Sequence, residues 1–96
     1  MVIAAAKVVL DFWGNEEPRH KKQLIEKLTQ QLQNTHHVAL TEVDDFDSLE
    51  SCVLGLAFCS AEMKAAQSRM KTILEFIDKH SAARVVSDDS DFQIFA

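Results

Sequence analysis

Carboxylates follow one another closely between residues 42 and 50, and they are the side chains of this chain that first suggest chemistry. They are Glu42, Asp44, Asp45, Asp47 and Glu50. Carboxylate oxygens bind hard cations, and a loop of this kind could also hold a small molecule. The spacing lacks the glycine and the terminal glutamate of a calcium-binding loop. A solvated acidic turn is therefore the favoured interpretation, and the sequence predicts no metal site and no cofactor.

A single basic cluster has Arg19, Lys21 and Lys22 close together, with Lys27 further along the same predicted helix. Backbone N–H groups at a helix start also favour anions, so the cluster is a candidate contact for phosphate or RNA. The alternative is an ordinary solvated helix face. Because the chain as a whole is acidic, with a net charge of −5, it has no general attraction for nucleic acid. RNA binding would depend on this local patch.

Histidine and cysteine residues give no complete catalytic or metal-binding set. His36 and His37 are adjacent, and adjacent residues of a strand point to opposite faces, so they rarely share one metal ion. Cys52 and Cys59 lie about 23 Å apart along one predicted strand and cannot form a disulfide with each other. Small buried cysteines in a reducing compartment are the favoured interpretation, with a reactive Cys59 beside a helix start as the alternative. We expect a cytoplasmic protein that is not an enzyme.

The elements that would position these side chains begin with the uncharged run Cys52–Ser60. A short apolar run with no polar group on either face predicts a central strand. Val2–Trp13 predicts another long strand, because its even positions are all apolar. Val38–Val43 has polar positions mixed in, as an edge strand tolerates. Ala83–Phe95 predicts a last strand, interrupted at Ser87–Ser90.

Two amphipathic helices are predicted between these strands. The first, Pro18–Asn34, has proline at its first position and one apolar stripe. The second follows Ser60 as its N-cap and ends near His80. Residues 1–96 therefore predict one α+β domain, a ferredoxin-like β-α-β-β-α-β sandwich with a four-stranded antiparallel sheet and both helices on one face. Its first and third strands should be central, in agreement with their apolar sequences. No apolar run approaches the ~18 residues of a membrane span, so no membrane partner is expected.

The sheet face without helices is predicted to be apolar. The bulky even positions of the two central strands should lie under the helices, which leaves the odd positions open. These open-face positions are Ile3, Ala5, Val9, Val53, Ala57 and Cys59. A partner or a second copy should cover such a face, so we expect a homodimer or a higher oligomer. The aromatic residues of the central strands lie at even positions, which face the core. RNA recognition by base stacking on the open face is therefore disfavoured.

The segment from Gly14 to Gly55, with the helix that follows, resembles the YlxP-like family of uncharacterised bacterial proteins. The best matches are Val38–Asp44 with Asp47, and Val53–Ala57. The resemblance implies a ferredoxin-like fold, a gene neighbourhood among translation and ribosome-maturation factors, and no established activity. It also implies a basic segment that opens the first helix. Here that segment is Glu17–Lys22, where the basic positions are present only in part.

Two hypotheses about function follow. The first is a non-enzymatic, oligomeric accessory protein of translation or ribosome assembly. Its candidate contacts with RNA or a protein partner are Arg19, Lys21, Lys22 and Lys27. The second is a small-molecule or metal-binding sensor, or an enzyme of the same fold, that uses the acidic loop 42–50.

Overall fold

The computed structural model describes all 96 residues, and their backbone forms six regular elements. They are β1 (Val2–Asp11), α1 (Pro18–His36), β2 (Ala39–Asp44), β3 (Ser51–Ser60), α2 (Met63–His80) and β4 (Arg84–Ile94). This is the β-α-β-β-α-β order that the sequence predicts.

The four strands form one antiparallel sheet in the order β2-β3-β1-β4. β1 and β3 are the central pair and are aligned over their whole length, with Val2 opposite Ser60 and Asp11 opposite Ser51. The ferredoxin-like fold is confirmed, and so is the central position of the two most apolar strands.

The hydrophobic core lies between one face of this sheet and the two helices. Every even position of β1 is buried, whereas its odd positions are exposed or partly exposed. Both layers supply large, fully buried side chains. They are Leu10 and Leu54 from the strands, and Leu32, Ile73 and Ile77 from the helices. Burial of one such side chain stabilises the fold by about 1.5–3 kcal/mol, so the even face holds the helices and the odd face stays open.

β4 is a continuous strand, so the prediction of an interruption at Ser87–Ser90 was wrong. These residues pair with β1 along their whole length, and Lys7 lies opposite Asp89. The register shifts once, because Val86 is an extra residue in β4 between the partners of Val9 and Leu10. An edge strand tolerates charged side chains, since they remain in water.

The helix ends also differ from the prediction. Ser60 is the last residue of β3 and not the N-cap of α2, which begins at Met63. Its hydroxyl instead donates to the carbonyl oxygen of Glu62 at 3.2 Å. α1 runs on to His36, where His37 closes it in the left-handed conformation, with φ 53°.

Arg69 of α2 ties this end of α1 to the sheet. Its Nη2 donates to the carbonyl oxygens of His36 and His37, where a cation also complements the helix dipole. Its guanidinium carbon lies 4.4 Å from the centre of the Phe58 ring, a cation–π contact. The start of β2 is thereby fixed relative to β3 and α2.

Candidate functional site

Lys21 lies inside the protein, although the sequence predicts that it contacts an external anion. Only 4% of the residue is exposed. Its Nζ donates to the carbonyl oxygens of Asp45 at 2.8 Å and Ser48 at 2.6 Å, and it lies 3.2 Å from Glu42 Oε2. Two of the three ammonium protons are therefore donated to carbonyl oxygens, and the charge is balanced by the Glu42 carboxylate, whose buried Oε2 accepts no hydrogen bond. The prediction for Lys21 was therefore wrong, because this residue of the first helical turn faces the 42–50 segment.

The carboxylates of the acidic loop are not brought together around a common centre. Glu42 belongs to β2 and points under α1 towards Lys21. Asp45 has φ 59°, and its Oδ2 accepts a hydrogen bond from the Ser51 hydroxyl at 2.7 Å. Asp44 accepts from the Asp45 N–H at 2.8 Å, and Asp47 is exposed. No three His, Cys, Asp or Glu side chains lie close enough to hold a metal ion.

Both cysteines are free, and they lie on opposite faces of β3. Cys52 is fully buried on the core face. Burial, followed by the negative charge of Glu42, raises the pKa of the Cys52 thiol to about 12. Cys52 therefore remains a thiol at neutral pH and lacks the thiolate that a nucleophile requires. Cys59 is exposed on the open face, as the parity of the strand predicts.

The remaining basic residues of α1 are exposed but do not form a purely basic surface. Arg19 and Lys22 lie three residues apart, so they are neighbours on the helix. Glu26 is exposed four residues after Lys22 and belongs to the same side. Lys27 lies about 140° around the helix from Lys22. The structure therefore brings together two of the four predicted cations, with a carboxylate beside them.

The open face is organised in rows of side chains that cross all four strands from β2 to β4. One row consists of Ala39, Ala57, Ala5 and Asp91, and the next of Thr41, Gly55, Lys7 and Asp89. The small side chains in the middle of these rows leave a shallow trough of about 550 Å³. A trough of this volume falls in the range of small-ligand sites, about 300–1,000 Å³.

The five residues predicted for the oligomer face all lie on this side of the sheet. Ala5 is exposed, whereas Ile3, Val9 and Ala57 are partly buried. Val53 is only 7% exposed, so it contributes little to the accessible surface. The open face therefore exposes less apolar surface than the sequence predicts.

Gly55, which lines the trough, is also closely approached by Val43 of β2. The register between β2 and β3 shifts between Glu42 and Asp44, and Val43 is the extra residue. A Cβ atom at Gly55 would lie 2.8 Å from Val43 Cγ1. Only glycine leaves room for Val43 to lie across β3 in this position.

Lys7, Asp89 and Asp91 are the residues of the open face that sequence reasoning missed. Lys7 occupies an odd position in β1, so the alternation of the strand was enough to place it on the open face. The two aspartates could be assigned to the open face only once the register between β4 and β1 was known. Lys7 forms no ion pair within 4 Å, since the one pair in the structure is Lys21–Glu42.

This architecture defines a small ferredoxin-like α+β protein with one sheet face under two helices and the other face open. The chain belongs to DUF503, a family of proteins of unknown function whose family model matches residues 3–89. A search of curated proteins found no match. No helix has both the length and the apolar character needed to cross a membrane.

Two solved structures share the fold at low sequence identity. The de novo designed protein Foldit4 has a TM-score of 0.52 and 11% identity, covering 99% of this chain and 98% of its own. SnoaB, a cofactor-independent oxygenase from Streptomyces nogalater, has a TM-score of 0.52 and 9% identity, covering 98% and 92%. At such identities the likeness concerns the fold alone.

Proposed function

We propose that this protein is a non-enzymatic accessory protein that acts as a homo-oligomer through its open sheet face. The observation that carries this proposal is the exposed middle of the sheet, where Ala5, Gly55 and Ala57 have no helix above them. The small apolar side chains in this middle are in contact with water, which is unfavourable, and covering them with a second copy removes that cost.

The side chains that could take part in a reaction are held within the fold, which supports a non-enzymatic role. The ammonium group of Lys21 is engaged in three contacts within the fold. The Cys52 thiol is buried and its pKa is raised to about 12. The Asp45 carboxylate accepts from Ser51. The Lys21 and Asp45 contacts stabilise the 42–50 segment, and none of the three groups is free to bind or activate a substrate.

Association through the sheet face is more favourable than association through the edge of β4. Asp89 is the middle residue of β4. Antiparallel pairing of two β4 strands about their centres would place Asp89 opposite its own copy, with Asp88 and Asp91 nearby. Like charges directly opposite one another destabilise a strand pair, and charged edges of this kind prevent edge-to-edge pairing.

The substitution A57R tests the face. An arginine in the middle of the trough projects a charge into the interface, and we expect the dissociation constant of the dimer to rise at least about tenfold. A65R on the exposed surface of α2 is the matched control and should leave the constant unchanged. Light scattering during gel filtration measures both variants. Equal association of A57R and the wild type would exclude this face.

The cellular setting that we propose is translation or ribosome assembly in the cytoplasm. The YlxP-like resemblance supports this setting, and two free cysteines fit a reducing compartment. The side chains available to contact RNA are Arg19, Lys22 and Lys27. Lys21 is no longer a candidate, because it is buried.

Co-sedimentation with ribosomes tests this setting. We expect R19E/K22E/K27E to reduce co-sedimentation, because phosphate contacts carry most of the affinity for RNA. K64E/K71E/K79E on α2 makes the same change in net charge on the other helix and serves as the control. Binding that is unchanged in the α1 variant, or reduced equally in both variants, contradicts an RNA contact at the start of α1.

A small-molecule binder is the second candidate function, and the trough favours it over the acidic loop. The trough has a suitable volume of about 550 Å³, whereas Glu42 and Asp45 of the loop are engaged within the fold. A ligand specific for the native state raises the melting temperature. A thermal-shift screen of metabolites on the wild type and A57R tests this candidate, since a trough ligand should stabilise only the wild type.

A further inference from the structure

We propose that two copies pack open face to open face about a two-fold axis, with Lys7 of each copy paired with Asp91 of the other. The inference rests on the proposed homo-oligomer and specifies how its two surfaces recognise each other. In this arrangement the second copy covers the trough, and it also gives Lys7 and Asp91 at its border a partner of opposite charge.

The charges of the open face are arranged to fit a second copy. Lys7 is the only cation in the two rows that line the trough, and it is exposed without an ion pair. Asp89 lies opposite Lys7 on β4, and Asp91 lies opposite Ala5. The rest of both rows carries uncharged and mostly small side chains. A basic centre beside an acidic margin is a pattern that can complement itself.

Symmetry limits how two such faces can meet. In a two-fold interface the same patch serves both partners, so a residue that contacts a second position is contacted by it in return. A two-fold axis along β1 would bring Lys7 of one copy against Lys7 of the other. An axis along β4 would likewise bring each aspartate against the same aspartate of the other copy. An axis that crosses between β1 and β4, oblique to the strands, brings Lys7 of each copy onto Asp91 of the other. It also stacks the small side chains of Ala5 and Ala57 near those of the partner.

Strands of the two sheets then cross at a steep angle, and near-orthogonal crossing is one of the two preferred packings of sheets. The small residues of the trough allow the close approach that this packing needs. The Lys7 side chain is long enough to bridge the remaining separation of about 10 Å between sheets together with an aspartate.

The size of the face indicates that the charges matter. With the 10 residues of β1 at about 3.3 Å per residue and strands about 4.8 Å apart, the face measures roughly 500 Å² per copy. Faces that cross at a steep angle overlap over only part of this area, so the buried surface falls below the total of about 1,000 Å² that a specific interface needs. Apolar contact alone would therefore allow several orientations, and charge pairs at the margin select one of them.

Complementary charge reversal tests the pairing. K7D gives the face three negative groups, and D89K/D91K gives it three positive groups, so each variant alone should dimerise at least about tenfold more weakly than the wild type. An equimolar mixture of the two variants restores both sets of opposite charges. We expect this mixture to form a heterodimer with a dissociation constant within about threefold of the wild-type value, measured by sedimentation equilibrium.

The matched control applies the same changes in charge on the helix side of the molecule. K64D and E75K/D78K on α2 should each dimerise like the wild type, so net charge alone does not explain the result. Circular dichroism confirms that every variant is folded. Adding salt should weaken the wild-type dimer and the restored heterodimer alike, because both depend on partly screened charges.

The outcomes separate this inference from the proposed function. If the wild type dimerises and A57R prevents it, while K7D and D89K/D91K dimerise normally, the charge pairing is overturned and the homo-oligomer stands. Failure of the mixture to associate overturns the pairing as well. A monomeric wild type overturns both the inference and the proposal on which it rests.

Discussion

Replacing Lys21 with methionine should strongly destabilise the fold. K21M keeps the aliphatic stem that packs in the core and removes the ammonium group. Glu42 then loses its only ion-pair partner, and the carbonyl oxygens of Asp45 and Ser48 lose their donor. Nothing in the 42–50 segment replaces that cation.

The magnitude follows from the burial of the pair. Removing one partner of a buried ion pair costs about 3–5 kcal/mol. The Glu42 side chain is 23% exposed, so water partly compensates its charge. The lower end of the range applies, and the expected loss is about 3 kcal/mol in the free energy of unfolding. At a urea m-value of about 1.5 kcal/mol per molar, the unfolding midpoint should fall by about 2 M.

Urea unfolding followed by circular dichroism measures this change, and two further variants serve as comparisons. K22M removes the adjacent, exposed lysine and should change stability by less than about 0.5 kcal/mol. K21M/E42M also removes the stranded carboxylate and should recover more than half of the loss. A K21M protein within about 0.5 kcal/mol of the wild type would refute the view that Lys21 serves the fold.

Two further predictions concern β3. The pKa of Cys52 is raised to about 12 in the folded protein, above the ordinary value of about 8.5. Between these two pH values unfolding therefore releases a proton. The free energy of unfolding should fall as the pH rises through this range, by at most about 1.4 kcal/mol per pH unit. C52A should lose this dependence, whereas C59A should keep it; equal pH profiles of C52A and the wild type would contradict the assignment. G55A should destabilise by about 1 kcal/mol, because its Cβ would lie 2.8 Å from Val43 Cγ1. The cost should disappear in a V43A background, measured by thermal unfolding, and a cost that persists there would place the conflict elsewhere.

The fold could be predicted because the two central strands carry strict apolar parity. Neither face of Cys52–Ser60 has a charge, and Val2–Asp11 has its polar residues only at odd positions. β4 was harder, because Asp88, Asp89 and Asp91 break the apolar pattern while the strand still pairs as an edge.

The site could be predicted only in part, because it depends on contacts between distant segments. Lys21 reads as part of a basic cluster until the helix phase and the carbonyl oxygens of Asp45 and Ser48 are known. Asp89 and Asp91 join Lys7 only through the register of β1 and β4. Periodicity identifies the face on which a residue lies, but not its cross-strand neighbour.

Sedimentation equilibrium of the wild-type protein over the micromolar range tests the central claim most directly. If a second copy covers the open face, the average mass should rise with protein concentration and approach twice the mass of one chain. A57R should shift this rise in mass to higher concentration. The mass of a single chain at every concentration would contradict the account.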